Sequence, residues 1–321
     1  MTKMKAAICT KYGNPDVLKF SEVKKPIPKV DEVLVKIHTT AVTESDCVIR
    51  GLNMPGGHQF PIKQLMKFGM RLFIGFTKPR NPIIGLVFSG VVEATGENVE
   101  TFNDGDEVFG FTGMSRGAYA EYKCVTVKEI KAGEMALKPS NASHPEAVAV
   151  VYGGVLAIHF MKNANIKRGE KVLIYGASGA IGSIALQLAK HYDAEVTAVC
   201  STKNFKLVAS LGSDKMIDYT KKDAVNQLEQ YDFILDAVGK NKTSNLKVAC
   251  KESLTQNGKY VSVDDEFLKI QPNYLPKLQG LFETEIIQAV IDKTYSLENI
   301  IEAHEYVEKG HKKGNVLIKI V

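Results

Sequence analysis

The spacing of apolar residues changes character near residue 122. Up to that point they fall in short segments at 6–10, 18–22, 33–40, 85–92, 107–111 and 118–122, alternating with polar residues or rich in β-branched ones. A period of two sends successive side chains to opposite faces, so each segment predicts a strand. Pro26, Pro28, Asp31, Glu32 and the polar turn at 103–105 separate them. Short strands joined by polar turns predict a small barrel or partly open sheet. One stretch, 53–82, breaks the pattern. It is basic, and Met66, Phe68, Met70, Leu72, Phe73, Ile74 and Phe76 crowd into it. Core packing is the expected use of so many apolar side chains; a helix over a cleft or one flank of a binding pocket are the alternatives.

After residue 122 the apolar residues gather into unbroken runs followed by helical repeats. Residues 172–175 are apolar throughout, as a strand buried on both faces requires. Gly176, Gly179 and Gly182 follow, and Ile184, Ala185, Leu188 and Ala189 recur at helical spacing. Residues 195–200, 215–219, 232–236 and 258–263 read as further strands, with a helix over 204–211. Strands alternating with helices predict an α/β fold whose doubly wound parallel sheet is joined by right-handed crossovers.

The glycine loop is the first candidate for chemistry. Glycine permits a tight turn and a close approach of backbone to a pyrophosphate, and the helix that follows offers free N–H groups to the anion. Gly176, Ser178, Gly179, Ala180, Ile181 and Gly182 line the loop in this reading, so a dinucleotide is the expected ligand. A purely structural turn is the alternative.

Composition narrows the field. A chain of 321 residues, 45% hydrophobic and 24% charged, has room for two domains and a large core. The net charge of +5 is spread along the chain, so neither nucleic acid nor a membrane is an expected partner. The cysteines at 9, 47, 124, 200 and 250 show no disulfide or metal spacing, and a reducing, cytoplasmic compartment is expected. The first residues lack the apolar run of a secretory signal, and charge or glycine interrupts the longer apolar runs short of a membrane span.

Several phrases are more specific still: AVTESDCVIRG at 41–51, GVVEATGENVETFNDGDEVFG at 90–110, GAYAEY at 117–122 and YGASGAIGSIALQLAK at 175–190. SLGSDKMIDY at 210–219, YDFILDAVG at 231–239, GKYVSV at 258–263 and AHEYVEKGHKKGNVLIKIV at 303–321 add to them. Together they resemble the medium-chain dehydrogenase/reductase family, and within it the zinc-independent, quinone oxidoreductase-like branch of zeta-crystallin and the alkenal reductases. The resemblance spans essentially the whole chain. It implies a β-rich, GroES-like, partly open barrel that forms the substrate domain from 1–122 and 285–321, a Rossmann dinucleotide-binding domain over 123–284, and a homodimer.

The cofactor expected is NADPH. The strand at 195–200 runs into Ser201, Thr202, Lys203 and Asn204, without the carboxylate that holds the ribose 2′-OH in NAD sites. Ser201 and Lys203 offer donors to a 2′-phosphate instead, and Tyr219 matches a position that touches this phosphate in quinone oxidoreductases. The alternative for Lys203 is a solvated surface lysine. Ala237, Val238, Ser262 and Val263, at the ends of the next strands, are expected to line the nicotinamide; ordinary strand-end packing is the alternative. Asn315 resembles the family's C-terminal contact to that end of the cofactor, or is part of a solvated turn.

The family's zinc-dependent members carry a Cys in the segment equivalent to 41–47, a Gly-His-Glu at 85–87 and a four-Cys lobe. This chain has Thr43, Gly85-Leu86-Val87 and no such cluster, so no metal is expected. Val87 also departs from the zinc-free branch, which often keeps an acidic residue there, and Leu156 stands where the family usually has Thr. Thr43 and Asp46 match the segment that faces the nicotinamide and are the candidate catalytic pair. Thr43 would donate to the substrate or the carboxamide, and Asp46 would orient a ribose hydroxyl or a water. A helix cap is the alternative for both. Tyr152 is a further candidate for the pocket wall.

The expected substrate is a small quinone or α,β-unsaturated carbonyl. Hydride transfer to either leaves a delocalised oxyanion or enolate, which needs no strong built-in acid. Reduction of an enoyl thioester, or a non-catalytic NADPH-binding role of the zeta-crystallin kind, are the alternatives.

Overall fold

In a computed structural model that describes residues 2–53, 62–239 and 244–321, the first part of the chain is built from strands. β1 (Lys3–Cys9) and β2 (Leu18–Lys24) form an antiparallel pair. β3 (Glu32–Val42), β4 (Val87–Thr95), β5 (Glu107–Phe111), β6 (Tyr122–Thr126) and β7 (Met135–Leu137) build a larger antiparallel sheet around β3. The helices here are α1 (Glu44–Gly51), α2 (Ile62–Ile74) and α3 (Val127–Lys131). Residues 54–61 of the basic stretch, His58 among them, lie outside the described residues.

Two differences from the sequence expectation stand out. Residues 118–121 make no regular ladder. The Tyr119 carbonyl accepts from Ala7 at 2.8 Å, Glu121 donates to Lys5 and Ala118 donates to Gly85, so the chain is stitched between β1 and the turn before β4 until β6 begins. The sheet then continues through β6 and β7, past the expected limit at residue 122. The second difference is α2, for which core packing was expected. Leu65 and Phe73 are 72% and 74% exposed, and Phe68, Leu72 and Phe76 are exposed as well. The helix is anchored near its end, where Ile74 is buried and the Gly75 carbonyl accepts from Tyr12 at 2.8 Å.

α4 (His144–Met161) joins this part to the next. Ser143 caps it in a box with Glu146. It is 18 residues long and apolar enough to cross a bilayer, yet every side chain from Ala147 to Met161 is buried inside the protein. One side packs on β3, β4 and β5. The other meets the parallel unit, and the glycine pair makes that approach possible. A Cβ on Gly153 would lie 2.0 Å from the Ala180 carbonyl, and one on Gly154 would strike Leu278.

The parallel sheet holds β8 (Lys171–Tyr175), β9 (Glu195–Cys200), β10 (Lys215–Asp218), β11 (Tyr231–Asp236) and β12 (Leu254–Ser262), in the order β10-β9-β8-β11-β12. Its helices are α5 (Ala180–His191), α6 (Phe205–Ser210), α7 (Asn245–Glu252) and α8 (Tyr274–Glu283). The order reverses between β8 and β11, which opens a crevice beyond their carboxyl ends. β13 (Ile291–Ser296), α9 (Ile300–Glu308) and β14 (Asn315–Lys319) then return to the first sheet, where β14 pairs with β3.

Candidate active site

The three loop glycines serve three different needs. Gly176 has φ +83°, and a Cβ there would meet Val238 at 2.5 Å, so the turn itself demands glycine. A Cβ on Gly182 would lie 2.2 Å from the Gly176 carbonyl, so helix-to-strand packing demands the third. Gly179 has ordinary angles, φ −83° and ψ 177°, and a Cβ would meet only the Gly176 carbonyl at 3.4 Å. Neither backbone nor packing requires it, and its missing side chain leaves open space in front of α5. As N-cap it supplies no side-chain acceptor, so the first-turn N–H groups of Ala180, Ile181 and Gly182 have no intrahelical partner. This cradle fits a pyrophosphate. The loop is also held from outside, since the Ser178 hydroxyl accepts from the Asn204 amide at 2.9 Å and its carbonyl from the Gly314 N–H at 2.8 Å.

The ends of β9 and β10 lie side by side, Cys200 opposite Asp218. Half-buried Ser201 and exposed Lys203 and Tyr219 therefore share one corner of the crevice. Sequence reasoning missed Asp218, a carboxylate in that same corner. It accepts from the N–H and hydroxyl of both Thr202 and Thr220. Burial pushes its pKa up, but these donors outweigh burial and bring it to about 2. The signal was present in the sequence as Asp-x-Thr at a strand end, the form of an Asx-turn.

At the ends of β11 and β12 the backbone donors are consumed internally. Ala237 donates to Tyr175, Val238 to the Asp236 carboxylate at 3.1 Å and Val263 to the Asp236 carbonyl at 3.1 Å. Ser262 gives its hydroxyl to Asp236 and its N–H to Asp265. What these positions can offer a ligand is therefore carbonyl acceptors, which would suit a carboxamide NH₂, although the Ser262 carbonyl already accepts from the Asp265 N–H at 3.0 Å. Buried Asp236, ion-paired with Lys247 at 2.7 Å, is the hub of this loop, and sequence reasoning did not single it out. Asn315 is buried and spends its amide on the Val290 carbonyl at 3.1 Å. Its neighbour Gly314 makes the contact to the glycine loop.

The far wall is the start of α1. Thr43 is its N-cap, in a capping box with Asp46. One Asp46 oxygen accepts from the Thr43 N–H at 2.9 Å and hydroxyl at 2.7 Å. Asp46 has 0% exposure. Neither side chain is free to meet a substrate, so the geometry makes them positioning residues for the helix start, in place of the direct roles expected of them. Burial raises the Asp46 pKa to about 6 against the pull of the Thr43 hydrogen bonds. The other oxygen of Asp46, the Tyr119 hydroxyl and Arg116 Nε are buried together, and the nearby hydroxyl and guanidinium favour the ionised carboxylate against burial.

The hydroxyls that remain belong to Ser45 and Tyr152, 2.9 Å apart. Ser45 is half-buried at the first turn of α1. Tyr152 lies on α4, its ring stacked parallel to that of Phe111 with 6.5 Å between centres. Burial pushes the Tyr152 pKa up, so it is a protonated donor at neutral pH. The segment before β14 closes the ring: Lys312 pairs with Glu44 at 3.2 Å and donates to the Gly314 carbonyl at 2.7 Å.

A zinc ion needs three or four converging N, S or O ligands. Among the described residues no three of His, Cys, Asp and Glu come together. At the family's ligand positions stand Thr43, capping a helix, and the apolar Leu86 and Val87. Burial raises the pKa of the nearby Cys47 thiol, which disfavours the thiolate a metal would bind. The donors that the described residues bring together do not fit zinc.

Residues 29–132 match the alcohol dehydrogenase GroES-like domain, and residues 180–264 and 266–318 match two segments described as zinc-binding dehydrogenase. The chain is 31% identical to 2-methylene-furan-3-one reductase of Solanum lycopersicum, over 99% of this chain and 79% of that one. It is 28% identical to the chloroplastic NADPH-dependent alkenal/one oxidoreductase of Arabidopsis thaliana, over 98% of this chain and 79% of the other. The solved quinone oxidoreductase of Coxiella burnetii superposes with a TM-score of 0.81 at 23% identity, covering 100% of both chains.

Proposed function

Because the chain belongs to the medium-chain dehydrogenase/reductase family and is a nicotinamide-dependent oxidoreductase, we propose that it uses NADPH, without zinc, to reduce quinones or activated alkenes such as enals and enones. The observation that carries this reading is the uncapped first turn of α5 at the strand-order reversal, its loop tied through Gly314 and Lys312 to the start of α1, where the Ser45–Tyr152 hydroxyl pair sits. The cofactor supplies a hydride from its nicotinamide. The protein holds the pyrophosphate on Ala180, Ile181 and Gly182 and accepts from the carboxamide at the ends of β11 and β12. Tyr152, kept protonated by burial and held by Ser45, offers a hydrogen bond to the oxygen on which negative charge develops. A delocalised oxyanion or enolate needs no more than this, whereas an unactivated alkoxide would need a metal or a strong base. The names of the tomato and Arabidopsis relatives, both reductases of conjugated carbonyl compounds, support the same class.

NADPH is favoured over NADH by Lys203 and Ser201, and by a nearest carboxylate, Asp218, whose oxygens are already engaged. A homodimer and a reducing compartment complete the proposal, supported by Phe267 at 88% exposure just beyond the edge strand β12 and by five free cysteines. The test is NADPH consumption against a panel of quinones, enals, enones, enoyl thioesters and simple ketones. Turnover of quinones or enones with ketones inert supports the reading, and turnover of none of them sinks it. Stoichiometric zinc, lost on chelation together with activity, would overturn the zinc-free part.

A further inference from the structure

The net charge of the chain is modest, but its cations are not evenly placed. Residues 53–82 contain Lys63, Lys67, Arg71, Lys78 and Arg80 and no Asp or Glu. Elsewhere many lysines pair with carboxylates; among the described residues none of Lys67, Arg71, Lys78 and Arg80 has an ion-pair partner. Among the described residues the same segment carries the largest group of exposed apolar side chains: Leu65, Phe68, Leu72, Phe73 and Phe76. At 100° per residue, Leu65, Phe68 and Leu72 fall on one face of α2, with Phe73 at one margin and Arg71 on the opposite flank. Phe68 and Phe76 pack edge to face, 5.9 Å between ring centres, which makes one continuous ridge of the helix and the loop after it. Beside that ridge lies a concave site of about 410 Å³ lined by Arg71, Leu72, Gly75, Phe76, Lys78, Pro79 and Arg80. Cations and exposed apolar groups thus share one shallow surface.

We propose that α2 and the loop to Arg80 dock on an anionic phospholipid surface. Leu65, Phe68, Leu72, Phe73 and Phe76 enter the boundary between head groups and acyl chains, and Arg71, Lys78 and Arg80 meet lipid phosphates. A helix with an apolar face and a cationic flank lies in the plane of such an interface. A negative leaflet attracts each nearby cation by roughly 1 kcal/mol, about fivefold in partition. Charge selects this occupant. The segment has no carboxylate to balance its cations, so two copies of the face would repel each other, while a negative bilayer supplies the missing charge. The unevenness also explains why the whole-chain charge predicted no membrane partner.

The test is co-sedimentation of the full chain with vesicles of phosphatidylcholine alone and with vesicles that contain phosphatidylglycerol. Binding is expected only to the second, and a change from 50 to 500 mM salt should abolish most of it, since the Debye length shrinks severalfold. Arg71→Gln and Lys78→Gln should each lower partition about fivefold, and Phe73→Ser should lower it about tenfold through lost apolar burial. NADPH binding, measured on every variant, reports whether the fold is intact. The proposal is overturned if wild type sediments with neither vesicle. It is equally overturned if binding is indifferent to lipid charge, or if folded Phe73→Ser and Lys78→Gln bind like wild type. A sizing-column shift from dimer to monomer in Phe73→Ser would give the face to a second copy.

Discussion

Two helix N-termini face the same crevice and are finished in opposite ways. α1 is closed by its own side chains: Thr43 and Asp46 satisfy each other and the first backbone donors, with no exposed surface left on Asp46. α5 is left open: its N-cap is Gly179, which offers no acceptor and occupies no space. Both ends carry the partial positive charge of a helix start. One uses it to hold an internal carboxylate, and the other keeps it for an anion from outside. An unsatisfied helix end costs stability, so leaving one open at the strand-order reversal points to a ligand that completes it.

The largest effect should come from making α5 resemble α1. Gly179→Asp supplies the missing cap and sets a negative charge in the pyrophosphate's place. Melting temperature should hold or rise slightly, because Asp caps a helix slightly better than Gly, while NADPH affinity falls by about a hundredfold or more. Fluorescence titration with NADPH reads this directly, and a folded variant of wild-type affinity would mean that the loop is not the phosphate site. Next comes opening α1. Asp46→Ala removes the capping carboxylate and should cost about 1–2 kcal/mol of stability. Ser45 then loses its fixed position, so kcat should fall about tenfold with the NADPH dissociation constant nearly unchanged. Equal loss in both parameters would show that the α1 end also carries the cofactor.

The far corner of the α5 side gives a smaller effect. Lys203→Ala should weaken NADPH about tenfold and leave NADH nearly untouched, since one partly exposed charged hydrogen bond is lost. Ser201→Asp should go further, by repelling the phosphate and offering a carboxylate to a 2′-OH. The ratio of kcat/KM for the two cofactors at fixed salt is the measurement, and a ratio that neither substitution moves would remove NADPH from the proposal. The smallest effect is the pH dependence of the closed end. Asp46 has a folded-state pKa of about 6 against an ordinary 3.8, raised mainly by burial. The folded protein therefore takes up this proton before the unfolded chain does. The stabilisation is complete below the ordinary value and is lost as pH rises through 6. Relative to Asp46→Asn, which does not titrate, wild type should gain on the order of 2 kcal/mol between pH 8 and pH 4. A flat difference in denaturant stability would mean that the carboxylate is held ionised by groups such as Arg116.

The open end was legible in the sequence and the closed end was ambiguous, for a physical reason. A strand, three glycines and a helix constrain one another within a dozen residues or so, and the fold of the second half follows from repeating that local pattern. Thr-x-x-Asp, in contrast, is the same string whether it caps a helix or faces a substrate. Only burial separates the two uses, and burial is set by the rest of the chain. The Ser45–Tyr152 contact joins residues 107 positions apart, beyond any local pattern, although the glycine pair after Tyr152 marked a close helix approach. For α2 the apolar content suggested core packing, because composition does not show which side chains the rest of the protein will cover.

α4 is enclosed on all sides, and a single apolar cluster runs from Val87 and Phe109 in the first sheet, through α4, to Ile174 and Leu235 in the parallel sheet. A chain with two sheets is ordinarily expected to melt in stages, each part at its own temperature. Each large sheet keeps a smaller core of its own, around Val35 and Phe88 in the first and Leu173 and Ile234 in the second, but the main cluster is shared, and removing either sheet strips cover from the same helix. Heating should therefore give one calorimetric peak, with calorimetric and van't Hoff enthalpies in agreement, and the segment that carries the glycine cradle should not fold when expressed alone.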